Sequence, residues 1–130
     1  MPLTRLSVPK HLPPAQVRAL ADAVQTGLVS TCNVPVDDRF QLITRFDTGD
    51  MILNPTFGGM QRTADACIVD ITLLHGRTDD QKRALYRHVA DEAVAAGFKA
   101  DDIMMALYEN AAIDWTLGRG LAFKGHQGIS

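Results

Sequence analysis

The sequence predicts an α+β fold in which two β-α-β units form one four-stranded sheet with both helices on one face. Three observations predict it. Short apolar stretches rich in β-branched residues alternate with longer stretches of helical periodicity, in the order strand, helix, strand, connector, strand, helix, strand. Shifting the chain by 64 places sets Asp37-Asp38 on Asp101-Asp102 and His11 on His75, the mark of one unit used twice over about 2–60 and 66–130. Each strand pair linked by a helix should be parallel with a right-handed crossover.

Taken in order, Leu3, Leu6 and Val8 form a first strand that Pro9 ends, and Pro13-Pro14 opens a helix. Val17, Leu20, Ala21, Val24 and Leu28 make one apolar face of that helix, which runs to about Ser30 before Asn33-Val34-Pro35 breaks it. Arg39 to Phe46 alternates as a strand, with Phe40 and Leu42 on one side and Gln41 and Ile43 on the other. Residues 47–65 are a connector in which Met51-Ile52-Leu53 has the composition of a short strand. Cys67 to Leu74 is the third strand. Thr78-Asp79-Asp80-Gln81 is a capping box, and Leu85, Val89, Ala93 and Ala96 carry its helix to a stop at Gly97. Ile103 to Tyr108 is continuously apolar, which predicts burial on both faces. Two helices cover only one face of such a sheet, so self-association is expected to cover the other.

The 130 residues, 46% hydrophobic and 22% charged, fit one globular domain over 1–130 and exclude a disordered chain. A net charge of −2 gives no basic surface for nucleic acid. No apolar run is long enough to span a membrane, and the opening residues lack the apolar segment of a signal peptide, so a cytoplasmic protein is expected. Cys32 and Cys67 make neither a metal motif nor a disulfide framework and are read as small buried hydrophobes. His11, His75, His88 and His126 lack ligand spacing, and neither metal nor cofactor is implied.

Four features carry chemistry. Pro2 follows the initiator methionine, whose removal leaves a secondary amine titrating near pH ~8 and able to act as acid, base or iminium-forming nucleophile. Asp38 lies in Val34-Pro35-Val36-Asp37-Asp38-Arg39-Phe40-Gln41, between a helix and a strand. His75-Gly76-Arg77-Thr78 ends a strand and enters a helix, an anion-friendly place where Arg77 can grip a carboxylate bidentately. Glu109-Asn110 through Asp114-Trp115 to Gly118-Arg119-Gly120 holds the single tryptophan. Each alone has an ordinary structural reading: turn aspartates, a solvated loop arginine, a packing tryptophan.

Together, Pro2, Asp38-Arg39-Phe40-Gln41, Gly76-Arg77 and Asp114-Trp115 with Gly118-Arg119-Gly120 resemble the tautomerase superfamily, and within it the malonate semialdehyde decarboxylases. The resemblance covers nearly the whole chain, from Pro2 to about Gly125. It implies a tautomerase-like homotrimer acting on a small oxo acid, with Pro2 as catalytic residue and Asp38 as its acidic partner. It implies that Arg77 holds the substrate carboxylate and that Trp115 and Phe123 wall the pocket. Two positions depart from the pattern: His75 stands where the decarboxylases carry a first arginine, and Leu117 where an aromatic is common. Three functions follow as expectations. The first is decarboxylation of a 3-oxo acid. The second is tautomerisation or hydration of a 2-oxo acid. The third is non-catalytic binding by a trimer of the same fold.

Overall fold

A computed structural model of the chain describes residues 1–125. It contains strand β1 (Pro2–Pro9), helix α1 (Pro14–Cys32), β2 (Gln41–Phe46), β3 (Cys67–Leu74), α2 (Asp79–Ala95) and β4 (Ile103–Asn110). The sheet order is β2-β1-β3-β4. Within each unit the strands are parallel, Leu6 opposite Ile43 and Val69 opposite Met105. The units join through an antiparallel β1–β3 pair, with Pro2 opposite Leu73 and Ser7 opposite Ile68. The start of β1 therefore lies beside the end of β3, and the end of β1 beside the start of β3.

Strand alternation decides what is buried. Leu6 and Val8 of β1 and Val69, Ile71 and Leu73 of β3 face Val17, Leu20, Val24 and Leu28 of α1 and Leu85, Val89 and Ala93 of α2. The buried positions of the two units correspond at a spacing of 65: Leu6 with Ile71, Leu20 with Leu85, Val24 with Val89. Past the helices the spacing falls to 64, where Asn33 and Gly97 both take left-handed backbone and Asp38 corresponds to Asp102. His11 thus corresponds to Gly76 rather than to His75, although each histidine sits just beyond a strand end.

Both ends of α1 follow local chemistry. Pro14 occupies its first turn, where no main-chain donor is needed, and Asn33 caps its end in the left-handed region. The capping box of α2 is present in both directions: Gln81 N donates to Thr78 Oγ1 at 3.1 Å and Thr78 N to Gln81 Oε1 at 2.9 Å. Replacing Thr78 by alanine is expected to cost ~1 kcal/mol of stability, read as a lowered urea midpoint at unchanged slope.

Two expectations change. Met51-Ile52-Leu53 forms no strand; it lies between two single 3₁₀ turns, outside the strand pairings, with Ile52 exposed. In the single chain β4 is not buried on both faces. Met105 and Leu107 lean on the core, while Met104 and Tyr108 point away from the helices and are 50% and 57% exposed. Leu42 of β2 is exposed in the same way. This outer sheet face is open because both helices pack on the inner one. No helix is long and apolar enough to cross a membrane.

Candidate active site

The adjoining ends of β1 and β3 form the floor of a cavity of about 370 Å³. Met1, Asp38, His75, Arg77 and Phe123 line it, together with the end of α1 at Cys32 and Asn33 and with Gln81 from the first turn of α2. Residues distant in sequence meet here because the parallel β1–β2 pairing returns the chain to the start of β1. Thr4 N donates to Phe40 O at 2.9 Å, which brings the turn before β2 beside the N-terminus.

Asp38 sits in that turn. Its N–H donates to Pro35 O at 3.0 Å, and its carbonyl accepts from the buried Gln25 Nε2 at 3.2 Å. Arg39 and Gln41 fasten the turn further, Arg39 to Asp22 at 2.6 Å and Gln41 to the Ala21 carbonyl at 2.8 Å. The two arginines Arg39 and Arg18 hold the Asp22 carboxyl below its ordinary range, the Arg39 hydrogen bond being the main cause. With the backbone fixed, the Asp38 carboxylate reaches the terminal ammonium of Met1, Oδ2 at 3.4 Å. Its Oδ1 is buried without a hydrogen-bond partner. Such an acceptor costs ~1–3 kcal/mol, and a donor supplied by a ligand would recover it. Pro2, buried at the first position of β1, has an amide nitrogen while Met1 precedes it.

Arg77 is held by main-chain carbonyls. Nε and Nη2 donate to Cys32 O at 3.2 and 3.1 Å, and Nη1 donates to Leu74 O at 3.0 Å. Cys32 O is the negative end of α1, a favourable place for a cation. Among the described residues three of its five guanidinium N–H groups are used, which leaves two for a ligand. His75 follows β3, and its N–H donates to Asn110 O at 2.8 Å. Gly76, at φ +119°, turns the chain toward α2 in a conformation that strains any side chain. The Gly76 N–H also bonds the Glu109 carboxylate, which pairs with Lys82 at 2.5 Å. That hydrogen bond chiefly lowers the Glu109 pKa and raises that of Lys82. The sign follows: the lysine side is lost as pH rises through its raised value, the carboxylate side as pH falls through its lowered one, so the pair persists across neutral pH.

Trp115 does not line the cavity of the single chain. Its Nε1 donates to Asn110 Oδ1 at 2.6 Å, and its carbonyl accepts from Phe123 N at 2.9 Å. Asn110 therefore links Trp115 to His75, and Trp115 sets the place of Phe123, which does line the cavity. Pro2 is reached through Met1. Gln25 and the Cys32 carbonyl are features the sequence did not point to, while Gln81 was expected only as a helix cap and Asn110 only as part of the segment around Trp115. Gln25 is a polar residue on a helical position, whose only signal was its polarity.

The remaining chemistry-bearing residues sit elsewhere. His88 on α2 bonds Thr26 Oγ1 of α1 at 2.8 Å, a link between helices. Both cysteines are buried thiols, and burial with help from Asp102 and Asp65 pushes the Cys67 thiol up to about 12. His126 lies outside the described residues.

A family model described as a tautomerase enzyme matches residues 38–118. Among curated proteins, Probable tautomerase YusQ of Bacillus subtilis (strain 168) is 28% identical over 94% of this chain and 97% of its own. The solved structure of FG41 malonate semialdehyde decarboxylase inhibited by 3-bromopropiolate is 32% identical, with TM-score 0.85, over 91% of this chain and 90% of that one. A fused 4-OT solved as a symmetric trimer shares the fold at TM-score 0.75 and 21% identity, over 92% and 94% of the two chains.

Proposed function

The chain belongs to the tautomerase family, whose members are enzymes, and on that premise we propose that it decarboxylates a small 3-oxo acid such as malonate semialdehyde, with Pro2 as its reactive group. One observation carries the reading. The half-paired Asp38 carboxylate lies 3.4 Å from the chain's terminal ammonium in a cavity that also holds a pinned arginine. Removal of Met1 converts the Pro2 nitrogen into the terminal amine at the mouth of β1. Asp38 then favours its protonated form by charge. The likeness to a malonate semialdehyde decarboxylase over most of both chains supports the substrate class.

The reaction needs a carboxylate held still and a carbonyl made electron-poor. Arg77 fixes the carboxylate so that the breaking bond stands perpendicular to the carbonyl plane. The protonated Pro2 amine donates a hydrogen bond to the aldehyde oxygen, or, after giving up its proton, the free amine condenses with the carbonyl to an iminium with loss of water. The C–C bond to the carboxylate breaks, CO2 leaves, and the bonding pair moves into the polarised carbonyl. Proton return to carbon gives the aldehyde directly, or on the iminium route gives an iminium that water hydrolyses to the aldehyde and the free Pro2 amine. Asp38 positions water and keeps Pro2 cationic. Phe123 walls the site, held in place by Trp115. A homotrimer completes the assembly: the open sheet face with Leu42, Met104 and Tyr108 is the surface it covers.

A second reading rests on His75. With histidine in place of a fixed cation, carboxylate binding depends on Arg77 alone whenever His75 is neutral. A neutral Pro2 is a base, and the same site then moves a proton between carbon and oxygen of a 2-oxo acid. The two readings separate in a pH–rate profile of the Met1-free protein on malonate semialdehyde and on an enolised 2-oxo acid. Decarboxylation is expected, falling as pH rises through the range of the terminal amine, about pH 8. Tautomerisation that rises over the same range, without CO2 release above background, overturns it in favour of the second reading.

A further inference from the structure

We propose that the opposite end of the β1–β3 pair holds a second, non-catalytic pocket that binds a small monoanionic carboxylate with an apolar body. Here the end of β1 meets the start of β3, the counterpart in the other unit of the Pro2 cavity. The cavity measures about 390 Å³, within the range of small-molecule sites. Pro9, Phe46, Met51, Leu53 and Pro55 give it apolar walls, and Arg62 and His11 enter from the connector and from beyond β1.

The carboxylate that lines this cavity is paired with a lysine, and the arginine that lines it has no carboxylate partner among the described residues. Asp47 pairs with Lys10 at 3.4 Å, and Asp65 with His11 at 2.7 Å. Arg62 pairs with no carboxylate among the described residues. Its Nη1 donates to the carbonyls of Asn54 and Phe57, at 3.1 and 3.0 Å. Nε and Nη2 have no partner among the described residues. The guanidinium is thus fixed in place, as Arg77 is, with donors left over, so a ligand orders little on binding. A planar carboxylate matches one fork. A dianion such as phosphate would bring a second negative charge beside the Asp47 carboxylate that lines the cavity.

The features that make the first cavity reactive are cancelled in the second. The counterpart of Asp38 is Asp102, whose carboxylate is buried and taken by Thr63 N at 2.7 Å and by Thr63 Oγ1. At the start of β3 the nitrogens of Ala66 and Cys67 are internal amides, so no amine titrates there. Anion recognition remains; the acid–base pair does not.

The test is a ¹⁵N–¹H NMR titration of the full, Met1-free chain with benzoate, and with benzamide as the neutral isostere. Benzoate is expected to give saturable shifts at the amides of Thr48, Thr63 and Ala64, with benzamide at least tenfold weaker. Arg62→Gln should weaken benzoate at least tenfold. Ala64→Leu, which fills the cavity and leaves the hydrogen bonds of Arg62 intact, should do the same. Turnover at the Pro2 site should be unchanged in both variants. The proposal is overturned by shifts confined to His75 and Arg77, by equal binding of benzamide, or by full benzoate affinity in Ala64→Leu.

Discussion

A chain carrying one extra residue ahead of Pro2 is expected to lose at least a hundredfold in turnover while keeping its fold. Acid–base catalysis by a placed group is worth about 10²- to 10⁴-fold, and acylating Pro2 removes the group. The amide of an acylated proline has no proton to give and no lone pair to take one. The fold should survive because β1 is held by pairing to β3 from Pro2 onward and to β2 from Thr4 onward, and Met1 lies outside those ladders. The measurement is steady-state turnover beside a far-ultraviolet circular dichroism melt, with N-terminal mass confirming each form. Pro2→Ala distinguishes amine chemistry from proline geometry, since alanine leaves a primary amine that still titrates and still forms an imine. Partial activity in Pro2→Ala with none in the extended chain fits an amine at work. Full activity in the extended chain would sink the assignment of Pro2.

That assignment shows how far the sequence could be read. Periodicity located both helices and the strand β2, while short apolar or β-branched runs located β1, β3 and β4; in the structure burial on one face leaves a period of two in β1 and β3 and of 3.6 in α1 and α2. The capping box gave the start of α2 to the residue, since Thr78 and Gln81 are bonded side chain to backbone within one turn. The end of α1 is two residues later than the apolar pattern implied, since the last turn is set by the left-handed Asn33. Met51-Ile52-Leu53 misled because strand composition says nothing about whether a partner edge is near. Asp38 and Asp102 look alike in sequence, each one of an Asp-Asp pair before a strand. Their difference lies in what surrounds them: a connector that folds Thr63 onto Asp102, and a chain start that leaves Asp38 Oδ1 open. The fastening of Arg77 could not be read at all, because its partners are carbonyls, which every residue has.

Arg77→Ala is expected to lower kcat/KM for the carboxylate substrate by about 10²-fold, equivalent to ~3 kcal/mol of transition-state binding, the scale of a charge-assisted pair. The loss should not be a loss of fold. Removing the guanidinium frees the Cys32 and Leu74 carbonyls at the rim of an open cavity, where water can reach them. Arg77→Lys decides between charge and geometry. Lysine keeps the positive charge at the end of α1, but one ammonium cannot hold the Cys32 carbonyl with two parallel donors and still offer a planar fork to the substrate. The lysine variant should therefore recover little of the lost rate. His75→Arg probes the same site from the other side. By adding a fixed cation beside the cavity, it should raise kcat/KM for the carboxylate substrate at alkaline pH and leave the alkaline fall that belongs to Pro2. A profile unchanged by His75→Arg, with Arg77→Lys as active as the unmutated protein, would remove both residues from carboxylate binding. The anchor would then have to be sought elsewhere in the cavity.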